Sequence, residues 1–315
     1  MNPGPFLGMR KNSCRIVSRA MSIIRGASRP SMRDYLELTK PTITWLILGS
    51  TAVGYYFGLG RGNAHWLVLF HTLLGTGLLA SGTATLNEWY EREADAKMRR
   101  TENRPIPSGR VNPGRALAFG IALSVLGFAD LALAVNRVAA LWGLATLATY
   151  LLLYTPLKQR TPHATTIGAF PGAMPPLIGF AAAAGGLSAQ AWVLFAILFL
   201  WQFPHFLAIA WMYREDYGRA GIVMLPVVEP DGKSTARQIV IASLLLIPVS
   251  LAPGFLHMTG TLYLFGALAL GLAFLTAGLR VAFERTRLRA RQVLLTSVVY
   301  LPLLYGLMLL DRPRL

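Results

Sequence analysis

The chain has 315 residues, of which 54% are hydrophobic and only 14% charged. A soluble domain carries about 25% charged residues, so this much apolar surface excludes a water-soluble globule and points to lipid as the solvent. The net charge is +16, with 30 Lys and Arg against 14 Asp and Glu; the basic residues fall in the gaps between long apolar runs, which fits membrane topology and excludes nucleic acid as the expected partner.

Residues 1–33 are basic, free of acids and rich in Ser. They read as a disordered tail near anionic lipid, and without an apolar h-region they are not a secretory signal. The single cysteine, Cys14, lies in this tail and leaves no intrachain disulfide and no cysteine-based metal site. Residues 34–315 are expected to form one transmembrane domain. Spanning a bilayer takes about 20 mostly apolar residues in a helix. Runs of that kind occupy 43–60, 66–88, 115–134, 138–157, 165–184, 190–212, 238–256, 261–280 and 292–310. The predicted fold class is therefore all-α, a polytopic membrane protein with nine transmembrane helices. With Arg115 and Arg280, at the very ends of their spans, counted with the adjoining segments, the Lys and Arg divide 26 to 4 between the two sides. By the positive-inside rule the N-terminus is cytoplasmic and the C-terminus outside; a bacterial inner membrane is the expected location, with membrane lipid as the surrounding partner.

Two large cytoplasmic loops carry the chemistry. Asn87, Glu91 and Asp95 are four apart, so on a helix continuing the second span they share one face. Like charges at that spacing repel unless a cation offsets them, and oxygen-only ligands select a hard cation such as Mg2+. The sixth span runs likewise into Glu215 and Asp216, on the same side. Arg99, Arg100 and Arg104 follow the first acidic set; Tyr154 and Lys158 stand four apart at the end of the fourth span. Together they offer cationic donors for a diphosphate. Solvated loop charges are the competing reading, weakened by two acidic sets at equivalent helix ends on a face otherwise biased to bases.

These residues sit in long motifs. NEWYEREADAKMRRTENRPIPSG (Asn87–Gly109), LTKP (Leu38–Pro41), YTPLKQRTPHATTIGAFPGAMPPLIGFAAAAG (Tyr154–Gly185) and WQFPHFLAIAWMYREDYGRAGIVMLPVV (Trp201–Val228) resemble the protohaem IX farnesyltransferases, a branch of the UbiA-type intramembrane prenyltransferases. The resemblance covers roughly residues 34–310. It implies nine helices around a central cavity capped by the two loops. It implies farnesyl diphosphate and haem b as substrates, haem O as product, and Mg2+ as cofactor. By position it implies Asn87, Glu91, Asp95 and Asp216 as metal ligands with Glu215 beside them, and Arg104, Lys158 and Arg219 as diphosphate contacts. Two departures stand out: Glu88 and Glu91 occupy positions where many members carry Asp, and Ala220 leaves the second motif without an acid four residues after Asp216.

The expected chemistry is ionisation of an allylic diphosphate inside a water-poor pocket. Trp89, Phe170, Trp201, Phe203 and Phe206 are candidate pocket walls. His205, an ionisable group within the sixth span, is either a haem ligand or a hydrogen-bonded core histidine. A prenyltransferase with an aromatic acceptor from a quinone or chlorophyll pathway is the nearest alternative, and a transporter a more distant one. A complex with a downstream haem-modifying enzyme stays open.

Overall fold

The computed structural model describes residues 30–60 and 62–313. The tail, with Cys14, lies outside the described residues up to position 29; its last residues open the first helix. Ser31 caps α1 (Met32–Leu38) in a reciprocal box with Asp34, each accepting the other's backbone N–H.

Every described regular element is helical. After α1 come α2 (Pro41–Gly58), α3 (Trp66–Asp95), α4 (Pro113–Val135) and α5 (Arg137–Leu157), the last two ending in or passing through π-helical turns. The fifth span is broken into α6 (Ala164–Ala173) and α7 (Pro175–Ala184). Then follow α8 (Ala189–Met212), the short α9 (Arg214–Arg219) and α10 (Leu225–Val228), and the long α11 (Lys233–Phe255), α12 (Thr261–Phe283) and α13 (Arg287–Leu310). Eight of these spans, from α3 onward, are long and apolar enough to cross a membrane. The first expected span, α2, forms an 18-residue helix in the same bundle. Its threonines, glycines and tyrosines make it less apolar than the rest, so nine is an approximate count.

Small residues set how closely the helices pack. A Cβ on Gly54 of α2 would fall 2.1 Å from the Pro176 carbonyl oxygen, and one on Gly179 of α7 only 1.9 Å from that of Thr51. Gly75 and Gly82 on α3 interlock in the same way with Gly127 and Gly120 on α4. Close backbone approach through small residues is the packing available where lipid removes a hydrophobic driving force between helices. The α6–α7 span is the most enclosed, with 67% of it buried. Pro175 and Pro176 supply no N–H to a continuous ladder, which ends α6 at Met174.

A large core cluster joins α8, α11, α12 and α13, including Leu207, Ile239, Phe274 and Tyr300. A second gathers α2–α5 and α7 around Tyr55, Leu79, Leu131 and Ile178. Two smaller clusters hold the loops. Ala94 and Met98 pack with Tyr217, Ala220, Ile222 and Met224, which fastens the loop after α3 to the loop after α8. Leu38, Ile106, Val111 and Ala116 pack with Tyr35, Trp89 and Phe119, which lays α1 against the first loop. Arg110 strengthens that joint with ion pairs to Asp34 and, at 2.9 Å, to Glu37.

Candidate active site

The second expected span does not stop at 88. It continues as one 30-residue helix to Asp95, about 45 Å long at 1.5 Å per residue. The predicted face is therefore continuous, and the cap buries it: Asn87, Glu91 and Asp95 are all under 5% exposed. Glu88, one residue off that face, is equally enclosed at 1%. Four polar side chains, three of them carboxylates, thus share the buried end of α3.

Charges in such a place must be paired. Lys158 Nζ lies 3.1 and 3.3 Å from the two Glu91 oxygens. Arg104, returning from the loop, donates to Asp95 Oδ2 at 2.6 Å. Burial works against the Lys158 ammonium, but the Glu91 carboxylate outweighs it and holds the lysine above its ordinary value. Burial likewise opposes the charge on Arg104, and Asp95 more than compensates, raising it. Both cations stay charged at any working pH.

Sequence reasoning passed over Lys40, although it stands in the LTKP stretch. Its backbone is left-handed, with φ 49° just before Pro41, a conformation that costs an L-residue roughly 1–2 kcal/mol. From this backbone the side chain runs inward, and Nζ donates to Asn87 Oδ1 at 3.4 Å. Asn87 in turn donates to Thr155 Oγ1 at 3.2 Å, so its amide is fixed from both ends. Burial and the nearby Arg104 guanidinium lower the Lys40 pKa to about 8. A cavity of about 260 Å³ opens here, lined by Lys40, Glu88, Arg104, Glu37 and the start of α2.

The second loop reaches the same place. The Val223 N–H donates to the Lys158 carbonyl at 3.3 Å. The Arg100 guanidinium donates to the Tyr217 hydroxyl at 3.3 Å and lies over the Tyr213 ring. The two acidic segments therefore belong to one cap at one end of the bundle. Asp216 is mostly enclosed and paired with Arg219. Glu215, its neighbour, is exposed, as is Arg99. Tyr154 packs its ring on Gly168, with Lys158 Nζ 5.9 Å from the ring centre.

The expected aromatic residues do not form one wall. Trp89 belongs to the α1 joint. Phe170 packs on Phe199, which meets Phe203, in a ladder along α8. Trp201 stacks on His205, and Phe206 is 41% exposed.

Among the described residues, no three acidic, His or Cys side chains make a preformed metal cage. The donor set still suits a hard cation. Asp95 Oδ1 and Glu88 Oε1 are buried without a hydrogen-bond partner. Mg2+ takes one or two protein carboxylates plus substrate phosphate oxygens, so a full protein cage is not required.

The family model for the UbiA prenyltransferase family matches residues 47–303. Among similar sequences, a protein of Solibacter usitatus named protoheme IX farnesyltransferase is 67% identical over 90% of this chain and 100% of its own length. A namesake from Koribacter versatilis is 46% identical over 94% and 98%. Among solved structures, a digeranylgeranylglyceryl phosphate synthase superposes with TM-score 0.75 at 18% identity, covering 90% of this chain and 99% of its own. A UbiA homolog from Archaeoglobus fulgidus bound to GPP and Mg2+ superposes with TM-score 0.59 at 18% identity, covering 87% and 99%.

Proposed function

The chain belongs to the UbiA prenyltransferase family, and from that premise we propose that it is a multi-pass membrane enzyme transferring the farnesyl group of farnesyl diphosphate to a vinyl group of haem b, giving haem O and diphosphate. The acceptor follows the names of its relatives. The observation that carries the chemistry is the buried end of α3, where Glu88, Glu91 and Asp95 meet Lys40, Arg104 and Lys158 beside a cavity, under a cap made of both acidic loops.

The leaving group is a polyanion, and the chain's cations are already gathered where it must sit. Lys158 and Arg104 now neutralise Glu91 and Asp95. Substrate binding moves these cations onto diphosphate oxygens, so both ion pairs open. Asn87, Glu91, Asp95 and Asp216 are the residues we assign to Mg2+, whose bound charge would neutralise the diphosphate as its C–O bond breaks. Lys40, Lys158 and Arg104 stabilise the same developing charge from the protein side. Arg100 and the Tyr217 ring tie the two loops together above them, and Arg219 is placed to follow Asp216 toward the diphosphate. The electron pair of the C–O bond leaves with diphosphate, the vinyl π pair forms the new carbon–carbon bond, and the cation left on the vinyl carbon next to the porphyrin ring takes up a water molecule, which stays as the hydroxyl of haem O after losing a proton. The apolar bundle beneath excludes water from the allylic centre before that bond closes. Tyr154 helps seat the prenyl end beside Lys158. Glu215 and Arg99 face solvent and are assigned a supporting role at the rim.

The cap end is assigned to the cytoplasmic side of a bacterial inner membrane, since the basic residues concentrate there. Residues 34–315 make up the catalytic domain, and a downstream haem-modifying enzyme is the proposed recipient of the lipid-soluble product. The decisive experiment incubates purified protein with haem b, farnesyl diphosphate and Mg2+ and weighs the porphyrin product. A farnesylated haem is the expected result. Diphosphate release with the haem unmodified, or farnesyl transfer only to an aromatic acid, would reassign the acceptor.

A further inference from the structure

His205 lies inside α8, seven residues or about 10 Å before its end at Met212, in the apolar part of the bundle beneath the cap. An ionisable side chain at that depth is costly and needs a reason. Its Nδ1 is 2.8 Å from Ser297 Oγ on α13. That contact has a definite direction. Ser297 Oγ also lies 2.6 Å from the Leu294 carbonyl oxygen, which can only accept. A hydroxyl has one proton, and Ser297 spends it on Leu294. Ser297 therefore accepts from His205, so Nδ1 carries the hydrogen and the lone pair of the neutral ring stands on Nε2.

Trp201 fixes the ring plane. Its indole stacks on the imidazole at 4.7 Å and 23°, and its Nε1–H donates to the Ser297 carbonyl at 2.8 Å. One serine thus anchors both rings, one through its hydroxyl and one through its backbone. Among the described residues nothing hydrogen-bonds to His205 Nε2, and the side chain, although mostly buried, is not fully enclosed. A core histidine would satisfy both nitrogens. This one is held by one edge and presents a lone pair from the other, which is how a metal-ligating histidine is oriented by its supporting shell.

We propose that Ser297 is a positioning residue that locks His205 as the Nδ1–H tautomer, and that the Nε2 thereby freed is an axial ligand to the iron of the porphyrin acceptor. The inference rests on haem as the acceptor. Iron ligation from α8 would hold the macrocycle in the apolar layer below the diphosphate-binding end of α3.

The test compares ferric protohaem with iron-free protoporphyrin IX, each titrated into the purified full chain in detergent without prenyl diphosphate. Binding of farnesyl thiodiphosphate with Mg2+ serves as the folding control. Wild type should bind protohaem with a shifted Soret band. His205→Ala should lose that shift and at least tenfold in protohaem affinity, recover the band when free imidazole is added, and bind protoporphyrin IX as wild type does. Ser297→Ala should weaken protohaem about 10–100-fold, while Ser297→Thr retains it. A wild-type Soret band and affinity in His205→Ala would overturn the ligand assignment. Equal losses for both porphyrins would overturn it too, by making His205 a packing residue. Ser297→Ala indistinguishable from wild type would remove the positioning role. If wild type binds prenyl diphosphate but neither porphyrin, the acceptor reading itself fails and this inference with it.

Discussion

Replacing Lys158 by Met separates the two things that residue does. In the resting protein its side chain is 13% exposed and pairs with a Glu91 side chain that is 5% exposed. Removing one partner of a buried pair costs about 3–5 kcal/mol because the other charge is stranded, so Lys158→Met should melt well below wild type in detergent. In the proposed mechanism the same ammonium faces the departing diphosphate during turnover. One unit charge at about 4 Å in a medium of effective dielectric about 20 is worth about 4 kcal/mol, which is roughly a thousandfold in rate. The assay is single-turnover diphosphate release at saturating substrate, counted per folded molecule at a temperature where the variant holds its structure. Adding Glu91→Leu to Lys158→Met should return the melting temperature, because no charge is then stranded, without returning activity. Lys158→Arg should retain part of the rate. A Lys158→Met enzyme turning over within threefold of wild type would refute the argument that this cation stabilises the leaving group.

Three further outcomes are expected. Lys40, lowered to about 8 by burial and by Arg104, is charged at pH 7 and loses its proton above about pH 8, so kcat/KM should fall as pH rises through that value; Lys40→Arg should abolish the fall, and an unchanged alkaline limb in that variant would dismiss Lys40 as its source. Asp95→Asn and Asp216→Asn should each lower turnover at least about a hundredfold and raise the Mg2+ requirement in a metal titration, whereas near-normal activity would remove that residue from the metal site. Gly179→Val puts a Cβ 1.9 Å from the Thr51 carbonyl oxygen; the helices must separate, at a cost of about 1–3 kcal/mol or more, read as a lower melting temperature, and an unchanged melt would mean that α2 and α7 can part without penalty.

Much of the architecture was legible from local pattern. Span boundaries from apolar runs agree with the helices to within a few residues, except where polar turns prolong a helix, as with the first turns of α11 and α13 and the acidic end of α3. The four-residue spacing of Asn87, Glu91 and Asp95 predicted a shared face because helical periodicity depends only on near neighbours. Glu88 shows the limit of that reasoning. It is off the face by one residue, yet the cap encloses it as fully as the others. Glu215 and Asp216 are adjacent and chemically alike, but only Asp216 is drawn toward the cap. The aromatic residues are alike in type, yet packing puts Trp89 at the α1 joint, Phe170, Trp201 and Phe203 beside the large cluster of α8, and leaves Phe206 exposed.

The sequence alone determined that the chain lives in lipid, how many times it approximately crosses, which end bears the basic residues, and which helix face carries the acids. Each of these follows from transfer free energies and periodicities that act over a few turns of chain. Tertiary structure decided the rest: that Lys158 answers Glu91 from 67 residues away, that Lys40 enters the site through a strained left-handed backbone, and that Ser297 directs a histidine 92 residues before it. Those pairings depend on how whole helices sit against one another, where small residues allow backbones to touch, and no local pattern encodes that distance.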